Sequence, residues 1–360
     1  MIPICEPILG DEELHNVVEC IKTGWISSQG KFVTQFEQEF ASYIGMRHGV
    51  ATTSGTSALH LALVALGISK GDEVIVPVLT FVATANVVRY TGATPIFVDA
   101  TIDNWCIDTA QIEEAITQRT KAIIPVHLYG HPCYMDAIMS LAEKHNLYII
   151  EDVAEAQGAK YKGKKVGSFG DINCFSFFAN KIITTGEGGI CLTNDKELAS
   201  KMRILRDHGM NPARRYWHNV IGYNYRMTNL QAAVGLGQLH KADELLIKRA
   251  KIAMKYNNRL KGTDITLPPN EDWAEPVMWI YTILTKHKEK IASALKKEGI
   301  ETRPIFYPVT LFPPYKQQKE YPTANRLSLT GVSLPSSPKL TNNEIEYICE
   351  VIRENSISTS

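Results

Sequence analysis

No C-x-x-C pair occurs among the seven cysteines, which lie at 5, 20, 106, 133, 174, 191 and 349. Their odd number and scattered spacing argue against a disulfide framework and a paired-thiol zinc site. They read instead as reduced, buried thiols in a cytoplasmic setting. No apolar run reaches the roughly 18 residues that a membrane span needs. The opening Met-Ile-Pro-Ile-Cys-Glu-Pro has neither the charged head nor the apolar stretch of a secretory signal. Neither charge is in excess, since 38 Lys and Arg balance 38 Asp and Glu. A nucleic-acid partner and a charged solvating tail are therefore not expected. Internal repeats and low-complexity linkers are also missing.

What is present is an ordinary globular composition, 44% hydrophobic and 21% charged, over 360 residues. That length accommodates a large and a small domain. Helical spacing predicts helices over 11–23, 33–44 and 57–66, with Phe36, Phe40 and Tyr43 on one face. Short apolar runs bounded by turn residues predict strands over 74–79, 95–99, 121–127, 147–151, 172–178 and 189–193. Helical patterns over 83–91, 109–117, 135–145 and 196–207 separate several of them. Such alternation implies an α/β fold, with a mainly parallel sheet covered on both faces. A proline-free pattern from about 228 to 261 predicts one long helix ending at Gly262. Beyond it lie a strand pattern at 277–284, a helix at 288–298, a Pro-rich stretch at 304–322 and a helix at 342–353. The change in pattern places a boundary inside the long helix. It gives a large domain, 1–245, and a small C-terminal α+β domain, 246–360.

Four stretches carry polar residues where strand–helix units bind ligands. Thr53-Ser54-Gly55-Thr56-Ser57 opens a helix, whose free N–H groups and positive dipole end suit a phosphate. An ordinary N-cap would look the same. Leu147-Tyr148-Ile149-Ile150-Glu151-Asp152 is an apolar strand ending in two acids. A carboxylate there can keep a pyridine nitrogen protonated, or simply cap a helix. Phe175-Ser176-Phe177-Phe178-Ala179-Asn180-Lys181 runs from a strand into a Gly-rich turn, Thr184 to Gly189. A lysine whose pKa is lowered can condense with an aldehyde, though most lysines are solvated surface residues. Gly222-Tyr223-Asn224-Tyr225-Arg226-Met227-Thr228-Asn229 leads into the long helix. Asn224 or Arg226 could reach a phosphate there, and a capping turn is the plainer reading.

In order and spacing, "TSGTSALHLAL", "GDEVIVP", "VHLYG", "EDVAEAQGA", "FSFFANKIITTGEGG" and "GYNYRMTNLQAA" resemble the DegT-type sugar-nucleotide aminotransferases. The resemblance spans 24–308, and within the family it looks most like the enzymes that form GDP-perosamine. It implies the aspartate-aminotransferase-like pyridoxal-phosphate fold (fold type I), with a mostly parallel, mixed seven-stranded sheet. It implies pyridoxal 5'-phosphate as cofactor, with pyridoxamine phosphate formed in turnover, and a homodimer with shared active sites. By the same resemblance Lys181 matches the lysine that bonds the cofactor, and Asp152 the partner of its ring nitrogen. Glu155 falls near the ring hydroxyl, Gly55, Thr56 and Ser176 on the phosphate, and Phe81 on the ring face. Asn224 matches a phosphate contact delivered by the neighbouring subunit. The substrates implied are L-glutamate and a nucleotide-linked 4-keto-6-deoxyhexose. GDP-4-keto-6-deoxymannose is the first expectation, and UDP- or dTDP-4-keto-6-deoxyglucose the alternative.

Trp25, Ser28, His127, Arg215, Tyr216, Arg303, Tyr307 and Tyr315 are expected to contact substrate. Arginine forks suit a diphosphate, and aromatic rings can cover a sugar or base. His127 reads equally well as a satisfied core histidine, and Tyr315 as a packing residue. Three positions depart from the family pattern: Ala179, where many relatives carry glycine, His131-Pro132 and Tyr307. A positive φ at Ala179 would strain the lysine loop. A sugar 3-dehydratase of the same fold would carry histidine in place of Lys181. A non-catalytic sensor or scaffold would not need Lys181, Asp152 and Ser176 together.

Overall fold

The computed structural model describes residues 1–356. Seven strands form the central sheet: β1 (His48–Thr52), β2 (Glu73–Pro77), β3 (Thr94–Val98), β4 (Thr120–Ile123), β5 (Tyr148–Asp152), β6 (Ile172–Ser176) and β7 (Gly189–Thr193). Their order is β1-β7-β6-β5-β4-β2-β3. From β3 across to β6 all neighbours run parallel, and β7 is antiparallel to both β6 and β1. The sheet is therefore mixed and mostly parallel, as expected. Its strands are buried on both faces, and this explains why they read as continuous apolar runs rather than alternating ones. β1 carries no such signal. Its Gly49 lies so close under the preceding helix that a Cβ would come 2.5 Å from the Glu37 carbonyl oxygen. Pairing with β7 makes it a strand, against a weak local propensity.

The helices are α1 (Asp11–Thr23), α2 (Lys31–Ile44), α3 (Gly55–Ala65), α4 (Ala83–Tyr90), α5 (Thr109–Ala115), α6 (Met135–His145) and α7 (Lys196–Arg206). The single helix expected over 228–261 is two, α8 (Asn229–His240) and α9 (Ala242–Leu260), broken at Lys241 with φ −109° and ψ 14°. A capping box starts α8, with the Thr228 hydroxyl accepting from the Gln231 N–H and Gln231 Oε1 accepting from the Thr228 N–H. Gly235 and Gly237 let α8 press onto Phe36 and Glu13. Lys241 then pairs with Glu13. Nothing in local propensity predicts a break at a lysine; packing on α1 and α2 directs α8, and a second core directs α9.

That second core gathers Ile252, Tyr256, Tyr281, Ile283, Ile345 and Ile352, with α10 (Lys288–Lys297), α11 (Pro322–Thr330) and α12 (Asn342–Ser356) completing the helices. A small antiparallel sheet joins Thr282–Leu284, Gly331–Ser333 and Arg303–Pro304. The strand expected over 277–284 is only its last part. Trp279 and Ile280 turn back into the main core, together with Ile305, Val309 and Tyr321 of the Pro-rich stretch. The C-terminal third thus reaches across the ends of the sheet strands.

One contact between the two parts is made at a tight turn. After β4 the chain passes through Tyr129 (φ 51°) and Gly130 (φ 92°), and the Gly130 carbonyl accepts from the Val277 N–H at 3.0 Å. A Cβ at Gly130 would meet the Val277 oxygen at 1.6 Å. Gly130→Ala should therefore lose the roughly 1–2 kcal/mol of the left-handed backbone and a further penalty for the clash. Gly163→Ala shares a positive φ (79°) but has open space around it, so it should lose the backbone term alone. Denaturant unfolding of both variants measures the difference; equal losses would contradict this account.

Candidate active site

The ends of β5 and β6 and the first turn of α3 enclose a cavity of about 300 Å³. Ligands of open α/β sheets bind beyond the carboxyl ends of the strands. Asp152 ends β5 and is buried. Its Oδ2 accepts from the Thr84 hydroxyl at 2.8 Å and its Oδ1 from the Ala154 N–H at 3.1 Å. Burial raises its pKa; Thr84, Ala154 and the charge of Lys181 only partly oppose this.

Lys181 follows β6 in a short turn, where its N–H donates to the Phe178 carbonyl at 2.9 Å. Ala179 is not in the left-handed region, so the substitution there brings no backbone strain. Burial lowers the pKa of Lys181, while Glu155 and Asp152 pull it back up. Glu155 accepts from the Tyr129 N–H at 2.8 Å. Burial pushes its pKa up to about 7, against the pull of Lys181.

Gly55 opens α3 against the end of β6. A Cβ there would sit 2.7 Å from the Ser176 Cβ, so only glycine allows this approach. The Ser54 hydroxyl caps the helix by accepting from the Ser57 N–H at 3.1 Å. The N–H groups of Gly55 and Thr56 have no acceptor within the helix and lie at its positive end. Gln157 locks the lysine loop from behind. Its side-chain nitrogen donates to the Ser176 carbonyl at 2.7 Å, and its oxygen accepts from the Ile183 N–H at 2.6 Å.

Gly55, Thr56, Phe81, Asp152, Glu155, Ser176, Lys181 and Arg303 all line this one cavity. The other candidates do not. Ser28, Arg215 and Tyr216 line a separate groove of about 820 Å³ with Arg206 and Arg226. Asn224 is exposed, and its side chain accepts from Arg226 Nε at 2.9 Å. Trp25 lies in a shallow pocket beside Asn229, and Tyr307 is 51% exposed outside the cavity lining. One expected substrate contact needs correction. His127 is fully buried; its Nδ1 accepts from the Cys133 N–H at 3.0 Å, so Nε2 donates to Glu151 at 2.9 Å. Neither nitrogen is free for a sugar. Tyr315 donates its hydroxyl to Asn86 at 2.7 Å and packs edge-on against Phe97.

Thr84, Gln157, Tyr129 and Trp279 were not singled out in the sequence. Thr84 and Trp279 line the cavity, whereas Gln157 and Tyr129 act on it through backbone hydrogen bonds. Thr84 lies in the first turn of α4 and carries no motif, while Trp279 looks like any apolar residue of a strand.

The model of the DegT/DnrJ/EryC1/StrS aminotransferase family matches residues 7–353. The chain belongs to this family. It is 48% identical over 357 residues to the GDP-perosamine synthase of Escherichia coli O157:H7, covering 98% of each chain. To the GDP-perosamine synthase of Caulobacter vibrioides it is 48% identical over 356 residues, 96% of each. Among solved structures, DesV of S. venezuelae with a ketimine intermediate superposes at a TM-score of 0.93, with 37% identity over 97% of this chain and 95% of that one. PseC of Helicobacter pylori, an aminotransferase of pseudoaminic acid biosynthesis, gives 0.93 at 32% identity over 99% of each.

The chain is a pyridoxal-phosphate-dependent transaminase, and its residues fit that cofactor. The Gly55–Ser176 cradle leaves room for a phosphate at a helix start. Asp152 is a buried carboxylate whose raised pKa calls for a cationic partner. Lys181 supplies an amine with a lowered pKa, and Phe81 an exposed aromatic face.

Glu155 gives a pH test. Its folded pKa of about 7 stands above the ordinary 4.5, so the native state keeps a proton that the unfolded chain has released. Its contribution to stability therefore falls as pH rises from about 4.5 to about 7. In cofactor-free protein, the stability difference between Glu155→Gln and wild type should grow in favour of the variant across that window. Thermal unfolding at several pH values checks this; a constant difference would contradict it.

Proposed function

We propose that this chain transfers the amino group of L-glutamate to C4 of GDP-4-keto-6-deoxymannose, forming GDP-perosamine. The observation that carries the reading is Lys181 and Asp152 lining one cavity, in a chain 48% identical over 98% of its length to a protein named GDP-perosamine synthase. When bound, pyridoxal phosphate supplies an electrophilic carbon and a ring that takes up electron density. Lys181 would hold the cofactor through Nζ and, once freed by the amino donor, would serve as the base that moves the proton at the reacting carbon. Its lowered pKa leaves more of the amine neutral for both tasks. Asp152 would hold the proton on the ring nitrogen, and burial would strengthen that pairing. Gly55, Thr56 and Ser176 would bind the phosphate, Glu155 would lie by the ring hydroxyl, and Phe81 would cover the ring; all five line the cavity.

A homodimer completes the site in this reading. Asn224 lies outside its own chain's cavity, on a strap that exposes Tyr216, Trp217, Val220 and Ile221, the last at 89%. A second copy would cover these apolar side chains and bring Asn224 to the phosphate. Arg215, Tyr216 and Ser28 would come with it, facing the diphosphate and sugar beside Arg303, with Trp25 and Tyr307 at the rim. A division near residue 245 is supported by the second core, which begins at Ile252 of α9, although Trp279, Ile305, Val309 and Tyr321 pack into the first. No helix among the described residues is long and apolar enough to cross a membrane, and we place the enzyme in the cytoplasm.

Purified protein should turn yellow with pyridoxal phosphate and lose that colour with L-glutamate. Its kcat/KM should be highest for GDP-4-keto-6-deoxymannose against UDP- and dTDP-4-keto-6-deoxyglucose. A preference for either of the last two would transfer the reading to a viosamine-forming enzyme. Sharing of the site has its own test. Lys181→Ala and Asn224→Ala subunits, co-expressed, should regain activity through mixed dimers that hold one unaltered site. No recovery above the separate variants would mean that Asn224 does not act across the interface.

A further inference from the structure

The amine of Lys181 faces a side chain to which the chemistry above gives no task. Its Nζ lies 3.6 Å from the ring centre of Trp279, which is buried and lines the same cavity. The indole is held from three sides. Its Nε1–H donates to the Asn180 carbonyl at 2.9 Å, the peptide that leads into Lys181. The backbone carbonyl of Trp279 accepts from the buried guanidinium of Arg249 on α9 at 2.6 Å. Its ring stacks on Tyr129 at 5.9 Å and 23°, and Tyr129 stacks in turn on Phe306. A side chain fixed in this way presents one face, and that face meets the lysine.

We propose that Trp279 is a positioning residue for Lys181, receiving its free amine on the indole face and fixing the Asn180–Lys181 backbone through the indole N–H. This rests on the reading that Lys181 carries the cofactor. An ammonium over an aromatic face is stabilised by the ring quadrupole, most strongly on tryptophan. Trp279 therefore gives the released lysine a defined resting place within the cavity, where an unrestrained four-carbon stem would sample many. The other charged and titratable groups facing Lys181 are Glu155, Asp152, Arg303 and Cys5, and they remain in place in the variants below.

The test titrates Lys181 in the full-length, cofactor-free protein, by acylation with a lysine-selective reagent read by peptide mass spectrometry across pH. Trp279→Leu removes the aromatic face, and the labelling midpoint should fall by about half to one and a half pH units. Trp279→Phe keeps a face and loses the N–H, and its midpoint should stay closer to wild type. With cofactor restored, both variants should lose kcat more than they raise the KM for L-glutamate. A purely structural role would lower the thermal midpoint of both and move the titration of neither. An unchanged midpoint in folded Trp279→Leu overturns the proposal. A wild-type protein that titrates as expected but takes up no pyridoxal phosphate would refute the functional reading instead.

Discussion

A carboxylate removed from water organises the centre of this molecule. Asp152 ends a strand buried on both faces, where an ionised group is expensive unless something compensates it. Among the described residues its carboxylate receives two donors, the Thr84 hydroxyl and the Ala154 N–H. Burial outweighs them, and the group is left with a raised pKa. The remaining compensation within the protein is the charge of Lys181; in the proposed function a protonated ring nitrogen of the cofactor would add to it. The lysine loop, the glycine at the start of α3 and the Gln157 lock are the means by which the fold keeps that cation close.

Its neighbour Glu151 shows the opposite outcome one residue away. Successive side chains of a strand point to opposite faces, so Glu151 enters the other layer of the core. There it accepts from the N–H groups of Gly167, Phe169 and Gly170 and from His127. Burial alone would raise its pKa, but these donors outweigh it and hold the carboxylate low. One acid is therefore a structural anchor and the other is left unsatisfied for a ligand. The count of donors separates them, and that count is a property of the packed molecule. The same logic explains His127, whose two nitrogens are both taken up in anchoring Glu151 and the Cys133 amide.

Much of the architecture was legible in the chain. The parallel strands read clearly because burial on both faces demands unbroken apolar runs, and most helices between them because they cover the sheet with one apolar stripe, α3 being buried nearly all round instead. The edge strand at His48–Thr52 was not legible, since its pairing is non-local and its glycine answers to a close approach of α2. The break at Lys241 was hidden for a similar reason: a good helix-forming sequence is bent by two separate cores. For the site, the order of motifs led to Lys181, Asp152 and the Gly55 turn. Motifs could not distinguish a histidine that faces a cavity from one that faces away, nor show that the Tyr315 hydroxyl is already bonded to Asn86.

By itself the sequence determined the sheet-and-helix alternation, the helix start that attracts a phosphate and the lysine placed after a strand. These depend on periodicity, turn chemistry and residue type, which act over a few neighbouring positions. Only the tertiary structure decided how deeply Asp152 and Glu155 are buried, which of two adjacent acids stays unsatisfied, and which aromatic face meets Lys181. Burial, donor counts and ring contacts join residues more than two hundred positions apart, as Tyr315 and Asn86 show, and no local pattern encodes them.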